Sequence, residues 1–165
     1  MIRTIAFAAA LALVPNSSRA EDDRFDDGKF VKYAASSGML EVQLGQLAQK
    51  SAKTDAVRTL AALLAEEHAR TNQELRDAAK EAGLALPEKL SESDQKILDR
   101  FRDYNGGEFD ADFVAAIVEM HERSIGAFVK ASTRAKNASI RNFATRTLPV
   151  LQGHLEAARK VQAAK

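Results

Sequence analysis

From residue 27 onward the apolar residues recur three or four positions apart, which is the spacing of one face of an α-helix. Four long stretches keep this spacing, and they cover residues 27–51, 54–82, 109–136 and 139–162. Each stretch carries one apolar stripe that has to be buried against a neighbour. The pattern therefore predicts an all-α chain.

A long connection separates the second stretch from the third. Gly83 can adopt the left-handed backbone that ends a helix, and Pro87 forbids continuation of the helix. Ser91 and Asp94 resemble the capped start of a short extra helix, which the glycine pair at 106–107 ends. We therefore expect residues 84–108 to be a crossover with one short helix of its own.

The other two connections are only a few residues long, and Asn137 is a plausible cap at the second of them. Short connections make neighbouring helices antiparallel, so the chain forms two helical hairpins. Two hairpins joined by a long crossover predict a four-helix bundle. Pro149 falls inside the last helix and predicts a bend a little over one turn before His154.

The first twenty residues have the pattern of a secretory signal peptide. Arg3 is followed by an apolar run over residues 5–14, a break at Pro15 and a small residue at Ala20. The apolar run is too short to span a membrane, which takes about 20 residues. We expect cleavage after Ala20, export to the periplasm or the medium, no stable membrane insertion afterwards, and one folded domain over residues 21–165.

The amino-acid composition limits the kinds of binding and catalytic sites that the chain can contain. Lys and Arg number 24 and Asp and Glu number 23, so the clustered positive charge of a nucleic-acid-binding protein is missing and we expect no nucleic-acid partner. The chain has no Cys, which excludes disulfide bonds, thiolate metal sites and a cysteine nucleophile. Any metal or catalytic site must use nitrogen and oxygen atoms.

The three histidines of the chain fall on the apolar stripes of three different helices. His68 is four residues after Leu64, His121 is four after an isoleucine, and His154 is three after a leucine. The matching position of the first helix is Glu41, where a carboxylate is costly unless it is paired. At a rise of about 1.5 Å per residue all four lie near mid-height of their helices. We expect them to meet in one layer of the core.

Three imidazoles and one carboxylate make a closed or nearly closed site that suits a transition metal, Zn first, with Cu, Fe and Ni as competitors. Three alternatives stay open at this point. Each histidine can be a hydrogen-bonded core residue, the four side chains can form a metal-free polar network, and buried imidazoles beside a carboxylate can sense pH.

Three further carboxylates lie within two positions of the histidines, at Glu67, Glu122 and Glu156. Successive helical residues point about 100° apart, so we expect these three on other faces. Glu67 and Glu122 can at most support the ligands, and a charged residue at such a place is usually solvated.

The motifs resemble those of the secreted, ferritin-like proteins grouped as domain of unknown function 4142. The resemblance covers about residues 26–162 and rests on GMLEVQLGQLA around Glu41, EEHARTNQEL around His68, FDADFVAAIVEMH ending at His121 and TLPVLQGHLEAA around His154. It implies a ferritin-like bundle in the bacterial envelope with a suspected metal-binding role. The chain departs from the family pattern at Glu67, where Asp is common, and at Phe113, where Tyr is common.

This resemblance does not extend to di-iron chemistry. Di-iron bundles carry Glu-x-x-His on two helices, and here Ala65 and Leu151 stand three residues before His68 and His154. Other enzyme signatures, such as Gly-x-Ser-x-Gly or a phosphate-binding glycine loop, are also missing from the sequence.

Three functions are therefore compared. The first is a metal-binding envelope protein for storage, buffering or structural locking. The second is an envelope stress or interaction protein with a metal-free His/Glu network. An enzyme with an open metal position is the weakest of the three.

Overall fold

The computed structural model describes residues 25–104, 106 and 108–164, and within them the chain is all-α. Five helices follow one another, and their bounds are α1 Asp27–Ser51, α2 Asp55–Glu81, α3 Glu92–Arg102, α4 Phe109–Arg134 and α5 Ala138–Ala163. The four long helices agree with the predicted stretches to within two residues at each end. The predicted signal peptide lies outside the described residues.

The helix ends follow the local chemistry of the sequence. Thr54, Ser91 and Asn137 each accept a hydrogen bond from a backbone N–H in the first turn of the helix that follows. Gly83 has a φ of 67°, and the Leu84 N–H donates across it to the carbonyl of the last turn of α2. The expected caps and the expected stop after α2 are confirmed.

Two matching carboxylates tie the hairpins together and fix their direction. Asp27, in the first turn of α1, accepts from the backbone N–H groups of the α4–α5 turn at 2.9 and 2.7 Å. Asp110, in the first turn of α4, accepts from Lys53 N and Thr54 N of the α1–α2 turn, both at 2.9 Å. The start of each helix therefore lies beside the end of the other, so α1 and α4 are antiparallel.

This direction makes α1 parallel to α5 and α2 parallel to α4. The crossover, including α3, runs from the end of α2 to the start of α4 at the opposite end of the molecule, and α3 packs against α1. The two turns also share a sequence pattern, AKTDAVR at 52–58 and AKNASIR at 135–141. In both turns the arginine donates to the carbonyl of the first alanine at 2.6 Å.

The core consists of two apolar clusters with a polar layer between them. One cluster surrounds the α1–α2 turn, the start of α4 and the underside of α3, where Phe101, Phe109 and Phe113 pack together. The other surrounds the α4–α5 turn and the start of α1 and contains Phe30 and Phe143. The buried polar side chains near the middle of the four long helices lie between these clusters.

Gly45 lets α1 and α2 approach closely next to this layer. A Cβ atom at Gly45 would lie 2.6 Å from the Ala61 carbonyl oxygen and 3.0 Å from the Ala65 Cβ, distances that a real side chain does not tolerate. The close approach sets the separation of Glu41 and His68, one turn away on the same two helices. None of the helices in the described part of the chain is long and apolar enough to span a membrane.

Candidate metal centre

The structure brings the four predicted residues together in the polar layer. Glu41 comes from α1, His68 from α2, His121 from α4 and His154 from α5. All four are buried, with exposed fractions of 1% for Glu41 and at most 4% for any of the histidines. One ring nitrogen from each histidine lies within 4.8 Å of those of the other two. The helical stripes therefore predicted the layer correctly.

Glu41 lies on the His68 and His121 side of the layer. Its Oε2 atom is 2.6 Å from His68 Nε2 and 3.4 Å from His121 Nε2, and Ser37 Oγ donates to its Oε1 atom at 3.3 Å. Glu41 Oε2 and His68 Nε2 are close, but their orientation is not that of a hydrogen bond, and both atoms lack a well-aligned partner. Buried polar atoms in this state are uncommon in folded proteins, so this pair is a candidate for binding a ligand.

The outer nitrogen atoms of His121 and His154 are held by oxygen atoms that accept hydrogen bonds. His121 Nδ1 is 3.0 Å from the Ile117 carbonyl oxygen, and His154 Nε2 is 2.8 Å from Glu67 Oε2. A carbonyl and a carboxylate can only accept, so both outer nitrogens carry the proton. In the neutral rings the inner nitrogens, His121 Nε2 and His154 Nδ1, are then both lone-pair atoms.

Those two inner nitrogens face each other at 3.2 Å. Two lone pairs at this distance repel unless a proton or a metal ion lies between or beside them. A histidine that donates its outer N–H to an oxygen and turns its other nitrogen inward is the usual arrangement of a metal ligand. Their arrangement is therefore one that could hold a metal ion.

Glu67 supports a histidine of the layer, the role that the sequence analysis left open for it. It precedes His68 on α2, but its side chain crosses to α5 and meets His154, and its carboxylate is 28% exposed. Helical direction alone placed Glu67 off the core stripe, and a long side chain can still reach a neighbouring helix. Glu122 and Glu156 stay on the surface, where they pair with Arg159 and Lys160.

Burial and neighbouring charge set the protonation of the site. Burial alone raises the pKa of the Glu41 carboxyl, but the positive charges of His68 and His121 outweigh it and lower the pKa to about 2. Burial lowers the pKa of the His154 imidazole to about 4, with a further contribution from the charge of His68. The layer thus holds a carboxylate beside a neutral His154.

The donor set fits a transition metal. Three imidazole nitrogens and one carboxylate oxygen match the ligands and the coordination number of a closed zinc site, and Cu, Fe and Ni also accept imidazole. Phe113 lies in the apolar cluster against Phe101 and Phe109, so this position supplies no hydroxyl group to the layer.

Comparison with known proteins gives a family and a fold. The sequence model of the family described as "Domain of unknown function (DUF4142)" matches residues 12–161. No curated protein matches the chain. A solved structure, a DUF305 fragment from Deinococcus radiodurans, superposes with a TM-score of 0.71 over 84% of this chain and 96% of that one, at 10% sequence identity, and so shows a shared helical fold alone. The chain belongs to the DUF4142 family.

Proposed function

We propose that the protein binds one transition-metal ion in the core through Glu41, His68, His121 and His154. The observation that carries this proposal is the pair of inner nitrogens of His121 and His154, both unprotonated in the neutral rings and 3.2 Å apart, beside an unpartnered Glu41 oxygen. A metal ion satisfies all of these lone pairs at once. Zn is the first candidate because it prefers four nitrogen and oxygen ligands, with Cu, Fe and Ni as competitors.

The role that follows is storage, buffering or structural locking. With four protein ligands the coordination of the ion is complete, which is typical of structural sites, whereas catalytic sites keep one position for water or substrate. Oxygen-activating di-iron chemistry is disfavoured because Ala65 and Leu151 stand where bridging glutamates would be needed. The arrangement of the four long helices supports a ferritin-like four-helix bundle with one long crossover.

We place this function in the periplasm or outside the cell, on the signal-peptide pattern of residues 1–20. The absence of cysteine suits an exported metal protein, because nitrogen and oxygen ligands do not oxidise there as thiolates do.

Elemental analysis tests the proposal. Untagged protein is purified from the periplasm without chelator and measured by plasma mass spectrometry, beside the His121→Ala/His154→Ala double variant. The proposal predicts about one equivalent of metal in the wild type and none in the double variant. A histidine tag would add ligands of its own, so it is left out.

The matched control is Glu122→Ala, which removes a carboxylate next to His121 in sequence but on the exposed face. This variant should retain the metal of the wild type. Wild-type protein that stays free of metal after incubation with Zn, Cu, Fe and Ni salts would contradict the proposal. The layer would then be a polar network in which protonated histidines balance Glu41, and the function would lie elsewhere on the protein.

A further inference from the structure

A cavity of about 340 Å³ lies between α1, α3 and α4, immediately outside the core layer. Its lining includes Tyr33, Ser36, Ser37, Asp94 and Met120. Ser37 connects the cavity to the site, because the residue lines the cavity and its hydroxyl donates to Glu41 Oε1 at 3.3 Å. Resting on the metal-binding function proposed above, we propose that the ion reaches and leaves the core through this cavity, with α3 as its cover.

The other approaches to the layer are less suited to an ion. The two ends of the molecule are filled by the apolar clusters, which offer a dehydrating cation no ligands. On the side between α2 and α5 the Glu67 carboxylate is engaged with His154 at 2.8 Å, and an ion arriving there meets a protonated ring nitrogen. From the cavity, an ion meets a serine hydroxyl and then the Glu41 carboxylate.

Helix α3 is fastened above the cavity by a small number of contacts. It has 11 residues and buries Leu98 and Phe101 towards one apolar cluster. At its other end it is tied to α1 through Ser36, whose hydroxyl accepts from Ser91 N at 2.7 Å and donates to the Asp94 carboxylate. Opening this end of α3 therefore breaks the hydrogen bonds of one serine while the Leu98 and Phe101 anchor stays in place.

The charges around the cavity allow a cation to pass. Lys32 and Arg123 also line it, but Lys32 is exposed, and Arg123 is 57% exposed and 3.6 Å from Glu119. Their charges are therefore screened by water and by a neighbouring carboxylate. Asp94 is only half-buried, and with Ser36 and Ser37 it offers oxygen atoms to a partly hydrated ion on its way to Glu41.

Zinc exchange kinetics test the route. Stopped-flow mixing with Zn²⁺ measures uptake, and dilution into excess chelator measures release, for the wild type, Ser37→Leu and Ser36→Ala. A blocked route slows uptake, so Ser37→Leu should reduce the uptake rate about tenfold, whereas losing the hydrogen bond from Ser37 to Glu41 would by itself change only the release rate. Ser36→Ala loosens the cover and should raise both rates. Ser132→Leu, at a half-buried position in the last turn of α4 away from the cavity, is the matched control and should change neither rate.

The outcomes separate this inference from the function on which it rests. No zinc bound by the wild type overturns the proposed function, and the route with it. Zinc bound by all variants at unchanged rates overturns the route and leaves the function standing. A change in the release rate alone means that Ser37 acts only through Glu41, which also contradicts the route. Equal slowing of both rates in Glu67→Gln, with none in Ser37→Leu, would place the route between α2 and α5.

Discussion

Asp110 and Glu41 are two buried carboxylates that differ in the hydrogen-bond donors around them. Asp110 is 9% exposed, and its two oxygens accept from Lys53 N, Thr54 N and Thr54 Oγ1 at 2.7–2.9 Å. Glu41 is 1% exposed and has a serine at 3.3 Å on one oxygen and no well-aligned donor on the other. The first carboxylate is satisfied by its own chain, and the second is not.

The difference distinguishes a carboxylate that stabilises the fold from one that is available to a ligand. Asp110 closes the α1–α2 turn with N–H groups that would otherwise need water, so its burial is compensated locally. Glu41 is surrounded by histidines, which can balance its charge only by taking up protons or by sharing a metal ion with it. Four variants, given in decreasing order of the change expected, test this distinction.

Removing two ligands should have the largest effect. The His121→Ala/His154→Ala variant loses half of the donor set, and a complete zinc site is worth roughly 10 kcal/mol or more. We expect the zinc affinity, measured by competition with a chromogenic chelator, to fall by at least about a thousandfold. Affinity within tenfold of the wild type would show that zinc binds elsewhere.

Asp110 acts as a clamp between the start of α4 and the α1–α2 turn. Removing this clamp should destabilise the fold without changing the candidate metal site. Asp110→Ala leaves three donors at the α1–α2 turn without their acceptor, which should lower the free energy of unfolding by about 3 kcal/mol in denaturant titrations. The folded fraction should still bind one zinc ion. Asp27→Ala, which removes the matching clamp at the α4–α5 turn, is the control. Loss of zinc binding in a folded Asp110→Ala protein would mean that clamp and site are not independent.

Removing the partner of His154 should weaken the site moderately. Glu67→Ala deprives His154 Nε2 of its acceptor, and losing such a partner costs about tenfold or more in metal affinity. Glu67→Gln retains an oxygen that can accept and should lose less. An unchanged affinity in Glu67→Ala, measured by the same chelator competition, would show that this hydrogen bond does not orient the ring.

Neutralising Glu41 should have the smallest effect on the metal-free protein. In chelator, Glu41→Gln removes a buried charge whose Oε2 atom has no well-aligned donor to lose, and we expect its free energy of unfolding to stay within about 1 kcal/mol of the wild type. Its zinc affinity should nevertheless fall, because one ligand is lost. A large destabilisation without metal, comparable to that of Asp110→Ala, would show that Glu41 is a structural carboxylate after all.

The sequence predicted most of this architecture because the relevant information is local. Apolar spacing located the helices, and the same spacing put Glu41 and the histidines on buried stripes at mid-height. The Gly83 stop and the Asn137 cap also depend on neighbours a few residues away. Each of these features follows from helical geometry within one segment.

Features that depend on contact between distant segments could not be predicted in this way. The pairing of Glu67 with His154 needs the rotation of α2 against α5, which no stripe defines to within the reach of a side chain. The direction of α4 becomes clear only from the Asp27 and Asp110 clamps. The cavity outside Ser37 arises from the way α3 lies across α1.

Metal binding by the core layer can be tested by X-ray diffraction from crystals grown with zinc, with data collected on both sides of the zinc absorption edge. We expect one anomalous peak in the core, about 2.0–2.2 Å from His68 Nε2, His121 Nε2, His154 Nδ1 and a Glu41 oxygen. Glu67 should still accept from His154 Nε2. A core without a peak, with His121 Nε2 and His154 Nδ1 still facing each other, would contradict metal binding by this layer.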